Sequence, residues 1–146
     1  MTRCFLDTSV LVKLYHQEDG TDYLLNLYKG QSPLIISQLS MVELRSAIFR
    51  KLRERELDKI TLGAVLSRFD QDCEDRYDIL PVVSVVYEQA GKLLGKCAGN
   101  HGLRALDSIQ LATFIVYCDK EHDSLICADR ILAGVAENEG IDLVFI

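Results

Sequence analysis

Short apolar runs that end on a polar residue and hand over to a helical period recur along the whole chain, and this repeated handover restricts the fold more than any other feature. The run at 3–6 ends on Asp7, and apolar residues return at helical spacing from Val10 to Tyr15. Pro33–Ile36 is a second strand candidate, after which Ser37 or Ser40 could cap a helix carrying Leu44, Ala47, Ile48 and Leu52. Leu62, Val65, Leu66 and Phe69 keep the helical period beyond Asp58. They make the second arm of a helical hairpin that ends near Tyr77, after the acidic stretch Asp70, Asp72, Glu74 and Asp75. A strand over Ile79–Val83, despite Pro81, a helix from about Val85 to Ala98 and a nearly all-apolar helix from Leu103 to Cys118 follow. A strand at Leu125–Ala128, a helix at Arg130–Glu139 and a strand at Leu143–Ile146 close the pattern. Strands joined through helices predict an α/β fold, a parallel sheet covered on both faces, with ligands gathering beyond the carboxyl ends of its strands.

A chain of 146 residues is expected to form one domain, 1–146, and 49% hydrophobic against 26% charged residues is a globular balance. Apolar stretches such as Leu111–Cys118 fall short of the ~18 residues a membrane span needs, so the expectation is a soluble, cytoplasmic protein with no membrane partner. Five cysteines without a CxxC pair suggest buried thiols, not a disulfide framework or a zinc ribbon. The net charge of −6 argues against a surface broadly coated by nucleic acid. Its distribution adds a qualification: Arg45, Arg50, Lys51, Arg53, Arg55 and Lys59 gather a positive patch on an acidic body. Gly91, Gly95 and Gly99 repeat at four-residue spacing beside Lys92 and Lys96, a pattern that predicts close approach of another backbone.

Four carboxylates carry the chemical signal. Asp7 sits where a buried strand ends, beside the hydroxyls of Thr8 and Ser9, and reads as either a metal ligand or the N-cap of the next helix. Glu43 lies in an apolar setting, and Ser40-Met41-Val42-Glu43 also fits a capping box. Asp107 falls in a helix apolar nearly all round, where an unpaired carboxylate is costly, although Arg104 one turn earlier could pair with it. Asp129 repeats the placement of Asp7, again with capping as the plain alternative. If the two aspartate-terminated strands are neighbours, all four could enter one crevice. Carboxylates so close together require a compensating cation, and oxygen-only ligation favours Mg²⁺ or Mn²⁺. Such an ion suits hydrolysis of a phosphodiester.

Phe5-Leu6-Asp7-Thr8-Ser9-Val10-Leu11, the Ser37–Glu43 segment, Leu106-Asp107-Ser108-Ile109-Gln110-Leu111-Ala112 and Ala128-Asp129-Arg130-Ile131-Leu132 together resemble PIN-domain ribonucleases, most closely the VapC-type toxins of toxin–antitoxin pairs. The resemblance implies a three-layer α/β/α fold with a central, mainly parallel sheet and a protruding helical hairpin. It implies an endoribonuclease dependent on Mg²⁺ or Mn²⁺, with an acidic core of Asp7, Glu43 and Asp107 that Asp129 completes directly or through water. Thr8 or Ser9 would orient Asp7. It further implies an RNA substrate, a cognate antitoxin that occludes the site, and a homodimer. The chain departs from the family pattern at Cys127, where a hydroxyl residue is often found, and at Ile131, where some members carry another acid.

Arg45, Arg50 and Lys51, with Arg53 and Arg55, could guide an RNA backbone, or could equally form a solvated face paired with Glu54, Glu56 and Asp58. His16, His101 and His122 lack metal-ligand spacing and receive no catalytic role. Two other function classes compete: a non-catalytic PIN-like binding module, and an aspartate-nucleophile phosphatase, which would want an acid where Ser9 stands.

Overall fold

The computed structural model describes residues 2–97, 99–100 and 102–146. Five strands, β1 (Cys4–Leu6), β2 (Leu34–Ser37), β3 (Tyr77–Leu80), β4 (Ser124–Cys127) and β5 (Asp142–Phe145), form one sheet in the order β3-β2-β1-β4-β5. Every pairing is parallel. Helices α1 (Thr8–Leu11), α2 (Thr21–Lys29), α3 (Ser40–Arg53), α4 (Lys59–Asp75), α5 (Ser84–Cys97), α6 (Ala105–Tyr117) and α7 (Arg130–Asn138) connect them, and a single 3-10 turn, Val12–Leu14, prolongs α1.

The pleat divides the core in two. Phe5, Ile35 and Leu125 point to one face, where they pack under α5, α6 and α7, and Phe5 meets Phe114 edge to face with ring centroids 5.8 Å apart. Cys4, Leu6, Leu34, Ile36 and Ile126 point to the other, against Leu11, Leu24, Leu44, Ile48 and Phe69. Strands buried on both sides explain why the sequence runs are continuously apolar and do not alternate.

From β1 the chain moves outward to β2 and β3, then crosses back to place β4 on the other side of β1. The order therefore reverses between β2 and β4, and the crevice beyond the end of β1 is the switch point at which open parallel sheets take ligands. Asp7 leaves β1 at that point, its amide donating to the carbonyl of Ile126 at 3.1 Å.

Several local expectations need correction. The third strand is Tyr77–Leu80, so Pro81, which has no amide hydrogen to give the ladder, lies just outside it. Helix α2 had no reading from the sequence because it buries only Thr21 and Leu24. It opens after Gly20, whose φ of +92° is left-handed and whose missing Cβ would stand 3.3 Å from Ile146. No backbone closes on the Gly91/Gly95/Gly99 repeat: a Cβ at any of the three would meet nothing within 4 Å, so among the described residues these glycines open onto an unfilled face. The expected helix end at Ala98, like His101, lies outside the described residues. Ser40 is not a cap either. Leu39 takes the cap position of α3, and the Ser37 hydroxyl accepts the Leu39 amide.

Candidate active site

All four carboxylates proposed from the sequence, Asp7, Glu43, Asp107 and Asp129, border one cleft of about 600 Å³ at the switch point, which Arg50, Lys51 and Arg53 also line from farther along the helix that carries Glu43. Asp7 is only 4% exposed. Its Oδ2 accepts the Ser9 hydroxyl at 2.6 Å and the Ser9 amide at 3.3 Å, so it caps α1 while facing the cleft. The Ser9 hydroxyl also accepts the Ala128 amide at 3.0 Å, fastening the end of β1 to the end of β4. Burial pushes the Asp7 carboxyl up to about 6 against the help of Ser9, and the nearby Asp107 and Glu43 push in the same direction.

Glu43 is held by a different set. Its Oε1 accepts Thr8 Oγ1 at 3.0 Å and Gln110 Nε2 at 2.7 Å, and Thr8, Ser40 and Gln110 form a closed polar group behind it. The capping-box reading of Glu43 is thereby replaced: its side chain reaches across to α1 and α6, not back to its own helix start. Ser9 orients Asp7, whereas Thr8 orients Glu43. Gln110, 1% exposed, and Ser40 were missed as site residues because neither carries a charge; the only signal was a polar amide at a buried position of an apolar helix.

Asp107 and Asp129 share one partner. Arg104 places Nε 3.3 Å from Asp107 Oδ2 and Nη2 3.8 Å from Asp129 Oδ2. Burial raises the Asp107 carboxyl, with Arg104 opposing and Asp129 adding to the rise. Asp129 also caps α7, accepting the Leu132 amide at 2.9 Å. Both alternatives weighed for these aspartates, capping or pairing and a place in the acidic cleft, hold at once. The neighbouring Cys127 thiol is pushed up to about 12 by burial, so it stays protonated and supplies no thiolate.

The basic wall divides. Lys51 is tied to Glu18 at 2.8 Å and Glu56 at 3.1 Å. Arg45 pairs with Asp70 and lies over the Phe69 ring, away from the cleft. Arg50 and Arg53 line the cleft and, among the described residues, make no ion pair.

The donor set is of oxygens alone, with one deeply buried carboxylate whose charge nothing nearby neutralises, and it suits a hard divalent cation. Among the described residues no three acidic, imidazole or thiol side chains form a ready-made ligand group. Two of the four are instead occupied with Arg104.

The sequence matches the PIN domain family over residues 4–145. The chain belongs to that family. No curated protein matches it. Among solved structures this PIN domain resembles VapBC2 from Rickettsia felis bound to a promoter DNA fragment, at 15% identity and TM-score 0.70, covering 99% of this chain and 98% of that one. It resembles FitAcB from Neisseria gonorrhoeae, also at 15% identity, with TM-score 0.72 over 96% and 95% of the two chains. A third is the sarcin–ricin-loop-cleaving toxin VapC20 of Mycobacterium tuberculosis, at 15% identity and TM-score 0.67 over 90% and 93%. The expected three-layer architecture is thus met, with a sheet that is parallel throughout.

Proposed function

We propose that this PIN domain is an endoribonuclease that hydrolyses RNA phosphodiester bonds with Mg²⁺ or Mn²⁺ in the switch-point cleft, and that it acts in the cytoplasm as the toxin of a VapBC-type pair. The observation that carries the reading is the convergence of Asp7, Glu43, Asp107 and Asp129 on one cleft from four separate parts of the chain. Asp7, Asp107 and Glu43 would hold the ion, with Asp129 bound directly or through water. A divalent ion bound there supplies Lewis acidity toward a phosphate oxygen and activation of a water at neutral pH.

The chain's own residues do the rest. Ser9 fixes the direction of the Asp7 carboxylate. Thr8 and Gln110 donate to Glu43 Oε1 and so fix the direction in which its carboxylate faces. Arg50 and Arg53, which line the same cleft, offer phosphate contacts that draw the RNA backbone toward the carboxylates. Similarity to VapBC and FitAB complexes supports a cognate antitoxin as partner. A homodimer, which the family resemblance implies, completes the proposal. A nucleophilic Asp7, as in a phosphatase, is poorly supported by a carboxylate 4% exposed and engaged with Ser9.

The test is digestion of total RNA by the purified protein with MgCl₂ or MnCl₂, alongside EDTA and Asp7→Asn controls. Cleavage abolished by both controls is expected. Cleavage that survives EDTA contradicts the mechanism, and an absence of cleavage with either metal favours a non-catalytic binding module.

A further inference from the structure

Arg104 stands out at the mouth of the cleft. It is the residue before α6, its backbone extended at φ −85° and ψ 160°, and its side chain folds back over the first turn of that helix. Among the described residues it is the only cation paired with any of the four carboxylates, and it touches two of them. Its contacts, 3.3 and 3.8 Å, are longer than the 2.7–2.9 Å typical of charge-assisted hydrogen bonds. Its side chain is 75% exposed, so water can take over its hydrogen bonds whenever it leaves. The guanidinium therefore covers two carboxylates proposed as ion ligands and is bound loosely enough to depart.

We propose that Arg104 is an exchangeable counter-ion: it neutralises Asp107 and Asp129 while no divalent ion is bound, yields the position when one enters, and then presents its guanidinium to an RNA phosphate at the cleft mouth. This rests on the metal-dependent reading above. A monovalent, planar cation cannot satisfy four carboxylates, so a divalent ion outcompetes it; once displaced, Arg104 keeps the fork of donors that suits a phosphate. The exchange explains why the ligand group is not ready-made: its assembly waits on the departure of one side chain.

The experiment is calorimetric titration of MnCl₂ into wild type, Arg104→Gln, Arg104→Lys and Asp107→Asn, with melting temperatures as folding controls. Removing the competing charge should make Arg104→Gln bind Mn²⁺ about three- to tenfold more tightly than wild type. Arg104→Lys, which keeps the charge, should bind close to wild type, and Asp107→Asn should bind far more weakly. At saturating Mn²⁺, Arg104→Gln should raise KM for an RNA oligonucleotide more than it lowers kcat; an unchanged KM overturns the phosphate contact. If Arg104→Gln lowers the melting temperature but binds Mn²⁺ no more tightly than a wild type that does bind it, the exchange is overturned and the metal reading stands. If wild type binds no Mn²⁺, the metal reading fails, and the exchange falls with it.

Discussion

Burial makes Asp7 the most unusual ionisable group of the site. Its carboxyl is raised from the ordinary value of 3.8 to about 6, so the folded protein holds a proton that the unfolded chain has released across that interval. Between those two values stability falls as pH rises, and above about pH 6 the full cost of the buried charge is present. Asp7→Asn keeps the shape and can still accept from Ser9, so in EDTA at pH 7 it should be more stable than wild type by about 1–3 kcal/mol. The gain should shrink toward pH 4, as denaturant titrations at several pH values would record; a variant less stable at pH 7 would contradict the account. The same variant should have lost RNA cleavage, separating stability from function at one atom. Gln110 makes the opposite case. Gln110→Met removes the donor to Glu43 at similar volume, and should cost about 1–2 kcal/mol in urea unfolding while weakening activity. Asp7 was legible in the sequence because charge at the end of an apolar run is conspicuous. Gln110 was not, because an uncharged amide within an apolar helix gives no hint of what faces it from α1 and α3.

At the scale of elements, what the sequence made plain was whatever is buried on two sides. β1, β2 and β4 and the apolar helix α6 carry unbroken hydrophobic runs and fall close to where periodicity puts them. Helix α2 buries little, so its pattern is faint, whereas the edge strand β5, which also buries little, still falls within one residue of the run read at 143–146. The glycines of α5 misled for a related reason: spacing implies a partner, but partnership is a tertiary fact. Since a Cβ at Gly91 or Gly95 meets nothing in this chain, Gly91→Ala and Gly95→Ala should each stabilise the isolated protomer by about 0.5–1 kcal/mol. Stability lost on either change, read from thermal melts across protein concentration, would mean that a second chain approaches that face closely. The turn between α3 and α4 offers a second gain. Arg55 has φ of +60°, a left-handed conformation that disfavours side chains, and Arg55→Gly should raise stability by about 0.5–1 kcal/mol in the same melts.

For the molecule as a whole, charge is arranged across a single crevice. On the proposed reading, an acidic body of net charge −6 would draw RNA into the cleft through Arg50 and Arg53, since Lys51 is held by Glu18 and Arg45 by Asp70. Arg50→Ala with Arg53→Ala should raise KM for RNA several-fold and flatten its dependence on salt, while leaving Mn²⁺ affinity little changed. Equal salt dependence in wild type and double variant would remove the basic wall from the account. The fold gathers the carboxylates because the order of strand addition reverses around β1, bringing the ends of β1 and β4 and the starts of α3 and α6 to one rim, while Arg50 and Arg53 extend the cleft along α3. Everything functional follows from whether those carboxylates act together on one ion. Crystals soaked in MnCl₂, with data collected at the manganese absorption edge, test that directly. The account predicts an anomalous peak in the cleft within coordination distance of Asp7 and Asp107, with Arg104 moved off Asp107. Saturating Mn²⁺ that leaves the cleft without a peak, or places it on another surface, would contradict it.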